Sequence, residues 1–162
     1  MRKFAIGCVG LVVLLVGGLV MLAVATSGRP RASAALTPTP AAVGDVVAQG
    51  RWEVQVLRWG DWEVFSSRPP STPPQGRYVV VEFAATNRHQ ETSNFTTNDL
   101  RLLTGDGRRF AAAAASATID NGVFISQSVQ PGLTTTNRIV FDVDPAAENL
   151  VVEILGIRFQ LE

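Results

Sequence analysis

Lysine, cysteine and histidine are nearly absent from this sequence: Lys3, Cys8 and His89 are single occurrences in 162 residues. With one cysteine no disulfide can form within the chain, so stability must come from the core alone. With one histidine and no cysteine past residue 8, zinc sites built on those ligands are excluded from the body of the chain. A Ser-His-Asp triad would have only His89, in the polar stretch "NRHQET", and no Gly-x-Ser-x-Gly elbow accompanies it. His89 therefore reads as a surface residue. Basic charge is scarce where it would matter for nucleic acid. Four of the fourteen basic residues (Arg2, Lys3, Arg29, Arg31) precede the first acidic one, Asp45, leaving a net charge of −4 from there on. A domain of that sign is a poor match for a phosphate backbone, so nucleic acid is excluded as a partner. "GDGRRF" is no phosphate loop, because it lacks the Gly-x-x-x-x-Gly-Lys pattern.

The most conspicuous feature that is present is an uncharged run from Phe4 to Ala25. As a helix it would span about 33 Å, enough for a bilayer core. Arg2 and Lys3 precede it, and the positive-inside rule then puts the remainder of the chain on the extracytoplasmic side. Residues 1–25 thus read as a membrane anchor or signal segment. The apolar run is longer than the roughly 7–15 residues of a signal h-region, which favours a single-pass anchor. Secretion after cleavage near Ala25, at the small-x-small site Ala23-Val24-Ala25, is the alternative. Most of the apolar run lies after Cys8 rather than before it, so Cys8 reads as a small apolar residue, not a lipidation site. Residues 26–43, rich in Ala, Ser, Thr and Pro, form an expected stalk. The domain proper is expected over 44–162.

Within that domain the hydrophobic period is two. Trp52, Val54 and Val56 alternate with Arg51, Glu53 and Gln55, as in a half-buried strand. In "RYVVVEFAATN" both parities are apolar, so that strand is expected to be central and covered on both faces. Between the two, "GDWEVFSSRPPSTPPQG" has four prolines in residues 69–74 and reads as a long exposed loop. Asp106-Gly107 predicts a hairpin turn, and Ile139, Phe141 and Val143 another strand face. "AAAAASA" at 111–117 reads as a connection. In "NLVVEILGIRFQLE" the apolar parity switches beside Gly156, which predicts a β-bulge. About seven short strands and no convincing helix past the N-terminal segment make an all-β, immunoglobulin-like β-sandwich.

Candidate chemistry is thin. Asp142 and Asp144, two apart in "RIVFDVDPAAENL", have the look of a carboxylate pair, but Asp144-Pro145 ends the strand, and both read as solvated strand-closing residues. No Asp-x-Asp-x-Asp-Gly loop supports a calcium site. Asn94-Phe95-Thr96 fits a glycosylation sequon, discounted because the Arg and Ala bias with almost no Lys points to a bacterium with GC-rich DNA. Trp59, Trp62 and Phe65 flank the proline-rich loop and are the candidate ligand-binding surface, with packing beneath that loop as the plainer reading.

Four stretches carry a family resemblance: "YVVVEFAATN" closing on Asn87, "NDLRLLTGDGRRF" with Leu102, Gly107 and Phe110, "VQPG" at 129–132, and "IVFDVDP". Over about residues 50–155 the chain resembles extracytoplasmic bacterial immunoglobulin-like domains of unknown function (DUF4352), related in fold to the secreted mycobacterial immunogenic proteins. It departs from them in two respects: Asp144 is inserted in the usual Phe-x-Val-Pro, and the lipidated cysteine is missing. The resemblance implies no catalytic residues, and structural roles for Asn87 and for the Pro131-Gly132 turn. The expected function is a non-catalytic binding or structural module of the bacterial cell envelope, monomeric as a domain, without cofactor or metal. Its ligand would be an envelope protein or glycan. A calcium-dependent adhesion module and a carboxylate-based hydrolase on the sandwich loops are the alternatives.

Overall fold

The computed structural model describes residues 39–123 and 125–162. The expected membrane segment and most of the expected stalk lie outside the described residues. Among those described, no helix is long and apolar enough to cross a membrane. The strands, in chain order, are β1 (Ala41–Ala42), β2 (Val46–Gln49), β3 (Trp52–Asp61), β4 (Arg77–Asn87), β5 (Ser93–Thr96), β6 (Leu100–Leu103), β7 (Arg109–Ala111), β8 (Ser126–Val129), β9 (Thr134–Val143), β10 (Val151–Ile154) and β11 (Ile157–Gln160). Among the described residues, only single turns of helix interrupt them: α1 (Trp62–Phe65), and 3-10 turns at Thr97–Asp99 and Ala114–Ala117. The chain is an all-β sandwich. The strands outnumber the seven expected because several are only two to four residues long. Ala41 and Ala42, whose composition assigned them to the stalk, pair in parallel with Phe159 and Gln160.

Two sheets supply the layers. One runs β1-β11-β10-β6-β7 and the other β2-β3-β4-β9, while β5 and β8 form a separate ribbon. Period-two patterning builds the core between them, since alternate residues of each strand share a face. Val54, Val56, Val79, Val81, Phe83, Ile139 and Phe141 of the four-stranded sheet meet Leu100, Leu102, Val152, Ile154 and Phe159 of the five-stranded one, all fully buried. β4 lies between β3 and β9 and is apolar on both faces over its first half. Its second face carries Tyr78 and Val80, which pack with Trp62, Phe65, Ala115, Ile119 and Val140 in a smaller outer cluster.

Two features bend or end strands. Register slips between Val56 and Arg58, so the β-bulge is at Leu57 on β3. The bulge expected beside Gly156 is instead a two-residue hairpin turn: Ile154 pairs with Ile157, with Leu155 at φ 55° and Gly156 at φ 83°. A two-residue turn puts the residues on either side of it opposite each other on the same face, which also switches parity, and two positive φ values make it type I′. Asp106-Gly107 does turn between β6 and β7. The free edge of β9 is closed by the segment from Ala112 to Val123. There the Ala113 N–H donates to Val140 O (2.7 Å), the Val140 N–H to Ser116 Oγ (3.0 Å), and the Val123 N–H to Arg138 O (2.9 Å).

Candidate functional site

The proline-rich loop between α1 and β4 is fastened at both ends. The Trp62 indole N–H donates to Arg68 O (2.7 Å) and the Tyr78 hydroxyl to Thr72 O (2.9 Å), each the carbonyl just before a Pro-Pro pair. Proline itself offers no N–H, so the loop can be held only through its carbonyls and its few non-proline amides. Two of those amides go to Asp142: the Gln75 N–H donates to Oδ2 (2.8 Å) and the Gly76 N–H to Oδ1 (3.0 Å). Gly76 is required at that position, because a Cβ there would overlap the Val143 carbonyl. Asp142 is therefore half-buried and clamps a loop, rather than being solvated as its place in the strand had implied. Asp144 does close its strand. Its Oδ1 accepts the Ala146 N–H (2.9 Å), and its Oδ2 pairs with Arg108 Nη1 (2.9 Å).

Held this way, the loop forms one wall of a cleft of about 620 Å³. Thr72, Pro73 and Gln75 lie on the loop side, Phe110 and Ala113–Ala115 on the other, with Tyr78, Asp142, Val143 and Pro145 between them. Four separate stretches of chain converge here, at the end of the sandwich where β4 starts and β9 finishes. Burial, and secondly the Asp142 charge, raise the Tyr78 phenol above its ordinary pKa. The Ala146 N–H and then Arg108 hold Asp144 below the usual carboxylate range. Asp106 is likewise lowered, first by the Thr104 hydroxyl and then by the Arg108 N–H.

Of the three aromatic candidates, Trp62 and Phe65 share one cluster, and none of the three lines the cleft. Trp62 (4% exposed) and Phe65 (9%) are packed in the outer cluster. Trp59 is half-buried against the main core, with its indole N–H donating to Glu162 O (3.2 Å). The guanidinium groups of Arg58 and Arg138 lie 4.5 and 5.5 Å over the Phe65 ring and share the carboxylate of Glu82. So all three aromatics are engaged in packing, as large apolar rings usually are, and of them only Trp62 is bonded to the proline loop. His89 is exposed at the far end of β4, about 30 Å along the strand from Tyr78. Among the described residues, no group of three or more His, Cys, Asp or Glu is placed to hold a metal ion.

A family model described as a domain of unknown function (DUF4352) matches residues 41–160. No curated protein matches the chain. Among solved structures, the chain is similar to the secreted protein MPT63 of Mycobacterium tuberculosis, with 14% identity, a TM-score of 0.56 and 78% of this chain and 98% of that one covered. It is also similar to the yjhA protein of Bacillus subtilis (6% identity, TM-score 0.56, covering 75% and 99%). A conserved hypothetical protein of Bacillus anthracis has 15% identity and a TM-score of 0.52, covering 75% and 95%. At such identities the likeness is one of fold, and it agrees with the sandwich described above.

Proposed function

The chain belongs to DUF4352, a family of domains of unknown function, and from that footing we propose that it is a non-catalytic, extracytoplasmic binding module of the bacterial cell envelope whose binding face is the cleft beside the proline loop. The cleft carries the reading. It is the size of a typical ligand site, walled mainly by apolar groups with a few polar ones. The carboxylates lining it already accept N–H bonds from Gln75, Gly76, Ala146 and Arg108, and so have structural work. An acid–base pair needs a free carboxylate aimed at a reacting group, and a calcium ion needs several oxygens turned toward one point. The uncharged run behind Arg2-Lys3 and the fold shared with a secreted mycobacterial protein support an extracytoplasmic location.

One variant tests both parts. Ala114 is exposed and lines the cleft, and the native chain has only Cys8. In Ala114→Cys, a membrane-impermeant maleimide applied to intact cells should label the new thiol, with little label on the native chain. The labelled protein should keep its melting temperature, as expected of an open cleft. Labelling only after lysis would overturn the location, and a thiol that resists the reagent in purified protein would overturn the open cleft.

A further inference from the structure

The cleft is charged on one side only. Two carboxylates, Asp142 and Asp144, line it and no basic side chain does. Asp144 is neutralised from the rim by Arg108. Asp142 is different: among the described residues no ion pair reaches it, and its oxygens are met only by two backbone N–H groups. Those two N–H groups satisfy its oxygens but bring no full positive charge, so its negative charge stands open to a cation that enters the cleft. The phenol of Tyr78 registers that uncancelled charge, being raised by burial and then by Asp142.

We propose that the cleft receives the lysine side chain of a partner polypeptide, its ammonium against Asp142 and its stem along Phe110, Ala114 and Pro145. This rests on the cleft being the binding face. Charge complementarity selects a cation, and three further features narrow it. The neighbouring N–H groups of Gln75 and Gly76 already occupy the two-oxygen fork of Asp142, the position a guanidinium would need for paired bonds. An ammonium is a point charge and needs only the remaining lone pairs. Phe110, Ala113, Ala114 and Pro145 give the cleft apolar lining, and long cationic side chains bury their stems readily on such surface. Finally, a free diamine would fill only a fraction of about 620 Å³, whereas a lysine with its flanking residues suits that volume.

The test is a titration of the full-length, nitrogen-15-labelled chain, reading the amide signals of Gln75 and Gly76. The probes are acetyl-Ala-Ala-Lys-Ala-Ala-amide, the same peptide with norleucine for lysine, and 1,5-diaminopentane. The lysine peptide should shift both amides saturably, weakening as salt is raised, and the norleucine peptide should bind at least tenfold more weakly. Ala114→Arg, which supplies a cation from within, should abolish the shifts while leaving signals outside the cleft in place; Ala114→Met, of similar length and uncharged, should retain most of the binding. Equal binding of both peptides would make the cleft an apolar binding site and overturn the cation while sparing the binding module. Binding of the diamine but not of the peptide would overturn the polypeptide source. No shift with any probe would overturn the proposal, and the maleimide experiment would still decide the location and openness of the cleft independently.

Discussion

Replacing Asn87 by Asp changes one atom at the end of β4 and should unfold much of what that atom holds together. Asn87 is fully buried. Its Nδ2 donates to Glu91 O (2.8 Å) and Val129 O (2.9 Å), and its Oδ1 accepts the His89 N–H (2.9 Å). Asp is the same size and keeps the bond from His89. At neutral pH, however, a carboxylate oxygen would face two carbonyl oxygens where an NH₂ group had supplied both protons. Two lost bonds at about 1 kcal/mol each, plus about 1–3 kcal/mol for polar atoms left buried without partners, come to roughly 3–5 kcal/mol. At about 4 °C per kcal/mol for a domain of this size, the melting temperature should fall by roughly 12–20 °C at pH 7. Repulsion and burial raise the pKa of the new carboxyl in the folded state above its unfolded value of about 3.9. Its protonated form is therefore the one the fold tolerates. The deficit should be smallest below about pH 4 and grow as pH rises through the folded-state pKa. Thermal unfolding of both proteins from pH 3 to 8, followed by tryptophan fluorescence, measures the difference. A variant within about 1 kcal/mol of the native chain at pH 7, or a deficit that does not change with pH, would refute the assignment of Nδ2 as a double donor.

Glu82 should give the native chain the opposite acid response. Burial pushes its carboxyl up, but hydrogen bonds from Arg138 and Arg58 and their charges outweigh that and hold it below the ordinary value. A lowered pKa contributes stability above the unfolded value of about 4.3 that is lost as pH falls through the folded one. Glu82→Gln should flatten that acid limb, and chemical denaturation at several pH values would read it. Asp142 and Asp144 should separate in the same assay. Asp144→Asn, at an exposed pair, should leave stability nearly unchanged. Asp142→Asn sets an NH₂ group against one of two backbone N–H groups and should cost about 1–3 kcal/mol. Proteolysis of the Asp142→Asn variant should begin in the 66–76 loop.

Strand faces were legible in the sequence because period two leaves one reading wherever a face is buried: Trp52-Val54-Val56 and Ile139-Phe141-Val143 are core as patterned. The parity switch at Gly156 was visible but ambiguous, since a bulge and a two-residue turn both produce it. The bulge at Leu57 had its own signal, the three-residue step from Val56 to Trp59, which breaks alternation. Trp62 and Phe65, three apart, carried the spacing of a single helical turn with one buried face, but four residues are too few to stand out as a period. The cleft had no local signature at all. Asp142 and Gln75 are 67 residues apart, and nothing near either of them names the other.

The pairing of β1 has a mechanical consequence. Any pull transmitted from the chain ahead of Thr39 loads β1 first, an edge strand joined to β11 through only two residue pairs. Behind it, the Gly44 N–H is tied to Val56 O (2.9 Å), the Ala42 N–H to the Asp45 carboxylate (2.9 Å), and β2 to β3 over four pairs. Under rising tension β1 should shear away before β2 yields, freeing five residues, about 17 Å of chain contour, while the core strands stay paired. The domain would then absorb a tug at its N-terminal edge as extension, leaving the cleft, across the sheet beside β7, in its unloaded shape.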